Sequence, residues 1–354
     1  MTDIFSMDPK LAAPDDLYEM GEAYFFGKNV QQDLKKALES WQISAEKGHP
    51  GAQFRLSQAY LMGAGLELDL LGSFDWLFKA AQGDLAEAQF TLAEAYRTGQ
   101  PYGGKNPVQA IEWYSKAADQ GLLAAQITLA NSYYTGDGVE KNLAQALKYT
   151  LLAANQGYPP AQHNMASFYY KGKGVEKDLV QAVKFYRRAA DQGFREAQFS
   201  LGQAYFDGEG VEKDFDQAVK YWLLAADQGH PLAEYNIGAF HYNGFGFKKD
   251  SFQAIKYWRL AADKGVIEAQ FSLGKLYVKG DGLEKDLALA LKYYRLAADQ
   301  GHAQAQFYLA QAYFKGEGLE KDPALALKYY RLAADQGHAQ AIKKLGDLAD
   351  QTSG

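Results

Sequence analysis

The chain copies itself at a period of 36 residues. Aligned on the alanine that opens each copy, Ala52, Ala88, Ala125, Ala161, Ala197, Ala233, Ala269, Ala305 and Ala341 are 36 residues apart, except for one step of 37 between Ala88 and Ala125. An incomplete copy begins near Asp16, with Gly21, Ala23, Tyr24 and Gly27 in register. A unit this short cannot bury an apolar face by itself, so a fixed period of this size dictates a stack of one supersecondary element. The expected organisation is an N-terminal segment over 1–15, nine units forming one solenoid over 16–340, and a capping helix with a tail over 341–354.

Residues 197–232 show what one unit folds into. Ala197, Leu201, Ala204, Tyr205 and Gly208 follow the spacing of one helix face. Gly208 suits the left-handed residue that ends a helix, and Gly210 allows the sharp turn after it. Asp214 stands where an N-cap is wanted, with Gln217 three residues on as part of a capping box. Ala218, Trp222, Ala225 and Ala226 then form the buried stripe of a second helix that Gly229 closes. Small alanines let two helices approach, and aromatics fill the remaining space. Trp41, Trp113, Trp222 and Trp258 are aligned at one core position that holds Tyr186, Tyr294 and Tyr330 in other copies. Lys343 and Lys344 replace Phe307 and Tyr308 of the preceding copy, as suits a last helix facing water.

The glycine loops invite a ligand-binding reading, which their variation excludes. Between the two glycines stand Asp137, Lys173, Glu209, Phe245, Asp281 and Glu317. No shared cation or phosphate site survives such a mixture. A calcium loop needs oxygen ligands over twelve residues ending in glutamate, and a phosphate loop needs a following Lys-Ser or Lys-Thr pair. The loops read as punctuation, and neither a metal nor a cofactor is expected.

Composition narrows the partners. A formal net charge of -6 does not suit a surface that neutralises phosphates, so nucleic acid is not expected. With no cysteine there is no disulfide framework, thiolate metal site or cysteine nucleophile. No stretch reaches the roughly 18 apolar residues of a spanning helix, and the first fifteen residues do not read as a secretory signal. The expectation is a soluble, cytoplasmic protein without membrane insertion.

The period, the "LGQAYFDGEGV" signature at 201–211, and second helices built on alanine, an aromatic pair, Ala-Ala and glycine resemble Sel1-like repeats, relatives of the tetratricopeptide repeats. The resemblance spans about residues 16–350. Two loops depart from it: 63–75 reads "GAGLELDLLGSFD", and 99–107 reads "GQPYGGKNP", one residue longer. The resemblance implies an all-α fold, an alpha-alpha superhelix or right-handed solenoid of helix-turn-helix repeats. It also implies a non-enzymatic adaptor or scaffold that binds a partner protein or peptide in its concave groove. Such proteins serve in signalling, protein quality control, envelope processes and host interaction, and some bacterial ones act as immunity proteins against toxins. Neutralising one toxin or enzyme is therefore the alternative within the same class.

In this class of solenoid, residues beside the buried stripe of the first helix face the concave side. At the position of Phe199 the copies carry Phe54, Phe90, Ile127, His163, Phe199, Tyr235, Phe271 and Phe307. At that of Phe206 they carry Phe25, Leu61, Arg97, Tyr134, Tyr170, Phe206, Tyr242, Val278 and Phe314. Tyr and Arg favour interface hot spots, so the candidate contacts are Phe90, Arg97, Tyr134, His163, Tyr170, Phe199, Phe206, Tyr235 and Tyr242. Packing between repeats is the competing reading: partial burial is the stronger expectation at the first position, while exposure and packing stand level at the second. Residues 280–305 and 316–341 differ only at Asp281/Glu317 and Leu287/Pro323, so discriminating contacts are expected in the more divergent units before them.

A hydrolase of cell-wall or β-lactam substrates is the alternative of another class. Ser44 with Lys47, and Ser272 with Lys275, satisfy a Ser-x-x-Lys spacing. Neither has a Ser-Asp-Asn or Lys-Thr-Gly companion, and Ser200, the repeat equivalent of Ser272, is followed three residues on by Gln203. His49, His230, His302 and His338 each follow the glycine that ends a second helix. Copies about 10 Å apart cannot share a metal. No catalytic constellation emerges.

Overall fold

The computed structural model describes residues 11–245 and 248–353, where the chain forms nineteen α-helices and no strand. The first ten residues of the expected N-terminal segment, and Gly246 and Phe247 of the loop after Gly244, lie outside the described residues.

The chain divides into two compact units, residues 1–176 and 177–354. The first contains α1 (Pro14–Phe26), α2 (Leu34–Glu46), α3 (Pro50–Met62), α4 (Leu70–Gln82), α5 (Ala86–Thr98), α6 (Pro107–Asp119), α7 (Leu123–Thr135), α8 (Leu143–Asn155) and α9 (Pro159–Lys171). The second contains α10 (Leu179–Ala190), α11 (Arg195–Asp207), α12 (Phe215–Asp227), α13 (Pro231–Asn243), α14 (Ser251–Asp263), α15 (Ile267–Lys279), α16 (Leu287–Asp299), α17 (Ala303–Lys315), α18 (Pro323–Asp335) and α19 (Ala339–Ser353). Within each unit every helix packs on the next in sequence. The copy near Asp16, incomplete by its residues, has both of its helices, α1 and α2.

Local chemistry sets the helix ends. Gly208 adopts φ 76° after α11, where its N–H bonds to the Ala204 carbonyl, and Asp214 caps α12 by accepting from the Gln217 N–H at 3.0 Å. A capping side chain of this kind contributes about 1 kcal/mol. The alanine stripe is buried as expected, with Ala197, Leu201, Ala218 and Ala225 fully inaccessible.

The aromatic core position needs one correction. Trp41, Trp222 and Trp258 meet the small residue twenty places before them, Gly21, Gly202 and Gly238. Trp113 does not share their place. The extra residue in the 99–107 loop shifts the following helix by one, so Tyr114, only 1% exposed and packed on Phe90 with ring centroids 5.5 Å apart, occupies it. Trp113 packs on Phe78 instead.

Paired glutamines fasten five of the joints between copies. Gln126 Nε2 donates to the Ala118 carbonyl at the end of α6, and its Oε1 accepts from Gln156 at 2.8 Å. Gln89, Gln198, Gln270 and Gln306 repeat the arrangement with Gln120, Gln228, Gln300 and Gln336. The amides of Gln89, Gln126, Gln198, Gln270 and Gln306 are buried and bonded on both ends, which is what buried polar groups require.

Candidate partner-binding surface

The candidate contacts divide by position along the first helix. At the Phe199 position every side chain is half-buried, except for Phe307, which is buried. At three of these positions a histidine 31 residues on covers the ring: Phe199 stacks on His230 at 4.3 Å, Phe271 on His302 at 4.2 Å and Phe307 on His338 at 4.7 Å. Each of these histidines also caps the next first helix, as when His230 Nδ1 accepts from the Ala233 N–H at 3.2 Å. His49 does the same in the first unit, stacked on Tyr18 and accepting from Ala52. The four histidines thus have a structural task that their sequence position did not announce. Burial holds His49, His230 and His302 below the ordinary imidazole value.

In the first unit, Phe90 and Arg97 converge on Tyr114. Arg97 Nε lies 3.2 Å from the Tyr114 hydroxyl, its Nη2 pairs with Glu94 at 2.5 Å, and the Tyr114 hydroxyl donates to Glu94 in a short bond. Burial, followed by the neighbouring carboxylate, pushes the Tyr114 phenol well up. Arg97 is therefore anchored by groups of its own chain, although its side chain remains 45% exposed.

Tyr134 and Tyr170 are the exposed aromatics of this row, at 46% and 37%. Tyr134 meets Phe168 edge-on at 5.9 Å, and the Lys173 ammonium donates to its hydroxyl at 2.8 Å while lying 4.4 Å from the ring centre. That hydrogen bond and charge hold the phenol below its usual value. His163 is half-buried on α9.

The second unit places its candidates differently. Phe206 is half-buried, with its ring 5.4 Å from Trp222 and 5.7 Å from Phe240. Tyr235 and Tyr242 flank Trp258 at 6.3 and 5.4 Å, and both are half-buried. Phe199, Phe206, Tyr235 and Tyr242 serve the packing of their own repeats while offering one edge to solvent.

The Ser-x-x-Lys pairs are not assembled as nucleophile and base. Ser44 is fully buried and donates to the Pro14 carbonyl at 2.6 Å, while Lys47 donates to the Ala12 carbonyl. Lys275 lies over the Phe271 ring at 5.5 Å. Among the described residues, no group of three or more His, Cys, Asp or Glu could hold a metal ion, and no helix is long and apolar enough to cross a membrane.

Comparison with known proteins agrees with this architecture. The Sel1 repeat model matches nine times, over 14–49, 50–85, 86–122, 123–158, 159–194, 195–230, 231–266, 267–302 and 303–338. A search of curated proteins returned no significant match. Among solved structures, c5321, a protective antigen of uropathogenic Escherichia coli with an SLR fold, is 27% identical. It aligns over 96% of this chain and 80% of its own length, with a TM-score of 0.73. A Sel1 repeat protein from Oxalobacter formigenes is 29% identical over 98% of this chain and 96% of its own, with a TM-score of 0.72. Nine matched copies, each a first helix, a glycine turn and a second helix, make this chain a member of the Sel1 repeat family.

Proposed function

We propose that this chain is a non-enzymatic scaffold that holds a partner protein or peptide along the first-helix faces of its repeats. Family membership supports a protein-interaction role. The observation that carries the reading is the pair Tyr134 and Tyr170, which present polar-tipped aromatic rings to solvent on successive first helices, α7 and α9. Tyrosine supplies a large rigid contact area at small entropic cost, which is why it anchors interfaces. Arg97 and His163 border this row in the first unit; Phe199, Phe206, Tyr235 and Tyr242 give the second unit a flatter face. A cytoplasmic setting belongs to the same proposal.

The test is affinity capture with wild type beside a Tyr134→Ala/Tyr170→Ala variant, with Lys184→Ala/Lys220→Ala on the second helices as a control. Arg97 and Phe206 are kept, because their contacts with Tyr114 and Trp222 belong to the fold. A partner kept by wild type and control but lost from the tyrosine variant supports the assignment. Retention by all three moves the site off the first helices.

A further inference from the structure

On the second helices of the second unit, one exposed position carries leucine four times. Leu224 on α12, Leu260 on α14, Leu296 on α16 and Leu332 on α18 are 41, 43, 41 and 39% exposed. Their 36-residue spacing sets them in a row across neighbouring helices. Lys264, just after α14, donates to the Gly229 carbonyl that follows α12, and Tyr329 of α18 donates to Asp299 at the end of α16. Elsewhere the position is half-buried, as at Ile43 and Leu152, or charged, as at Lys79 on α4, Lys116 on α6 and Arg188 on α10. Single exposed leucines need no explanation, but four aligned ones rimmed by charge mark an interaction surface.

The charged rim selects what fits. Each leucine has an exposed lysine four residues before it and an exposed aspartate three residues after it, from Lys220 and Asp227 on α12 to Lys328 and Asp335 on α18. Residues at these offsets share the leucine's helix face, so lysines line one side of the row and aspartates the other. Arg259 and Arg295, beside the row, are engaged by the hydroxyls of Tyr277 and Tyr313. Such a surface is complementary to itself when a second copy is turned about an axis along the row. Lys256 and Asp263 are seven residues apart, about 10 Å along α14, with Leu260 near the midpoint. That rotation therefore lays each helix antiparallel to its counterpart, leucine on leucine, with Lys256 opposite Asp263 of the second copy. An axis across the row would instead set lysine on lysine and aspartate on aspartate, which is repulsive.

We propose that the second unit pairs with a second copy of the chain through this leucine row, as a two-fold dimer with antiparallel second helices. Isologous pairing of one patch with itself is the commonest closed assembly, and it needs no partner beyond the chain that carries the patch. A stable dimer buries about 800 Å² on each side, more than four part-exposed leucines provide. The lysine and aspartate rows complete the contact, so the dimer is weak and sensitive to salt. The first helices take no part in it, and each dimer offers their faces twice.

The test is sedimentation equilibrium of the full chain at low salt, from about 1 to 500 μM, the range that a small interface demands. Wild type should pass from monomer to dimer within it. Leu260→Lys with Leu296→Lys should stay monomeric throughout; the fold accepts lysine there, since Lys79 and Lys116 occupy the same position. Leu232→Lys, at a leucine 45% exposed on the first helix α13, should dimerise as wild type does. Charge reversal tests the orientation. Lys256→Asp with Lys292→Asp should weaken the dimer by about tenfold or more, and adding Asp263→Lys with Asp299→Lys should restore it, because each reversed row then meets a reversed row. Wild type that remains monomeric overturns the proposal, as does a dimer that survives the paired leucine substitutions. A fourfold reversal that leaves the dimer as weak as the lysine reversals alone overturns the antiparallel pairing.

Discussion

A Cβ placed on Gly202 would lie 2.5 Å from Cδ1 of Trp222, so the missing side chain of one residue is the space that the other fills. The same exchange runs through the chain. Gly238 faces Trp258 and Gly274 faces Tyr294, each with a Cβ clash of 2.5 to 2.6 Å, while Ala166 and Ala310 stand opposite the smaller Tyr186 and Tyr330 in their own copies. Volume is conserved across the helix pair. Gly202→Ala is expected to destabilise the second unit by about 1–3 kcal/mol through overpacking, less about 1 kcal/mol gained in helix propensity. Adding Trp222→Tyr should recover most of the loss, because Ala with Tyr is a combination that the chain already uses. Urea denaturation of the two variants checks this, and a double variant weaker than Gly202→Ala alone would refute the size-matching account.

One joint replaces the amide ladder with charges. Glu234 takes the glutamine place, only 3% exposed, and Lys264 takes that of its partner, with Nζ 2.5 Å from Oε1. A carboxylate cannot donate to the carbonyl that each neighbouring glutamine reaches, and Glu234 Oε2 has no hydrogen-bond partner. Glu234→Gln restores a donor and should raise stability by about 0.5–1.5 kcal/mol. Lys264→Met strands a buried carboxylate and should cost about 3 kcal/mol in the native background, but much less after Glu234→Gln. A double-mutant cycle by thermal or urea unfolding measures that coupling, and additive effects would show that the pair is not coupled.

The helix ends and the buried stripes were legible in the sequence because they answer local demands: Gly208 must adopt positive φ and Asp214 must meet a bare N–H. Registration of the aromatic position failed at Trp113, since sequence spacing alone does not say on which side of the 99–107 loop the extra residue falls. The glutamine ladder was missed because glutamine on a helix reads as solvent-facing, and only the adjoining helix end turns Gln126 into a buried clamp. The histidine caps were missed for a similar reason, although the aromatic 31 residues before each was a usable signal. At the candidate surface, exposure of Tyr134 and half-burial of Phe206 depend on what the next helix brings. Phe206 meets Phe215 and Phe240, whereas the Tyr134 hydroxyl meets a solvated lysine.

The histidine caps give the fold a defined acid limit. Nδ1 of His230 and of His302 accepts a backbone N–H, so it must be unprotonated there. Burial lowers both imidazoles beneath their ordinary value near 6.5. The unfolded chain therefore binds these protons first. The contribution is complete above about pH 6.5 and is lost as pH falls through the folded values. His230→Asn with His302→Asn keeps an acceptor at each cap without the titration. Urea midpoints between pH 7.5 and 5 should fall more steeply for wild type than for this variant, and identical slopes would mean that the caps do not sense protons.

Tyr134 and Tyr114 should ionise in opposite directions from the ordinary tyrosine value of about 10. Lys173 donates to the Tyr134 hydroxyl and holds it low; burial and Glu94 hold Tyr114 high. With 25 tyrosines, bulk absorbance cannot separate the two, so the measurement is ring-carbon NMR assigned with Tyr134→Phe and Tyr114→Phe variants. Tyr134 is expected to titrate first, and Lys173→Met should move it upward without shifting Tyr114. A partner that docks on this tyrosine must either keep or displace the lysine, so the Tyr134 titration also reports binding: a shift on addition of a captured partner marks contact at α7, and an unchanged curve places that partner elsewhere.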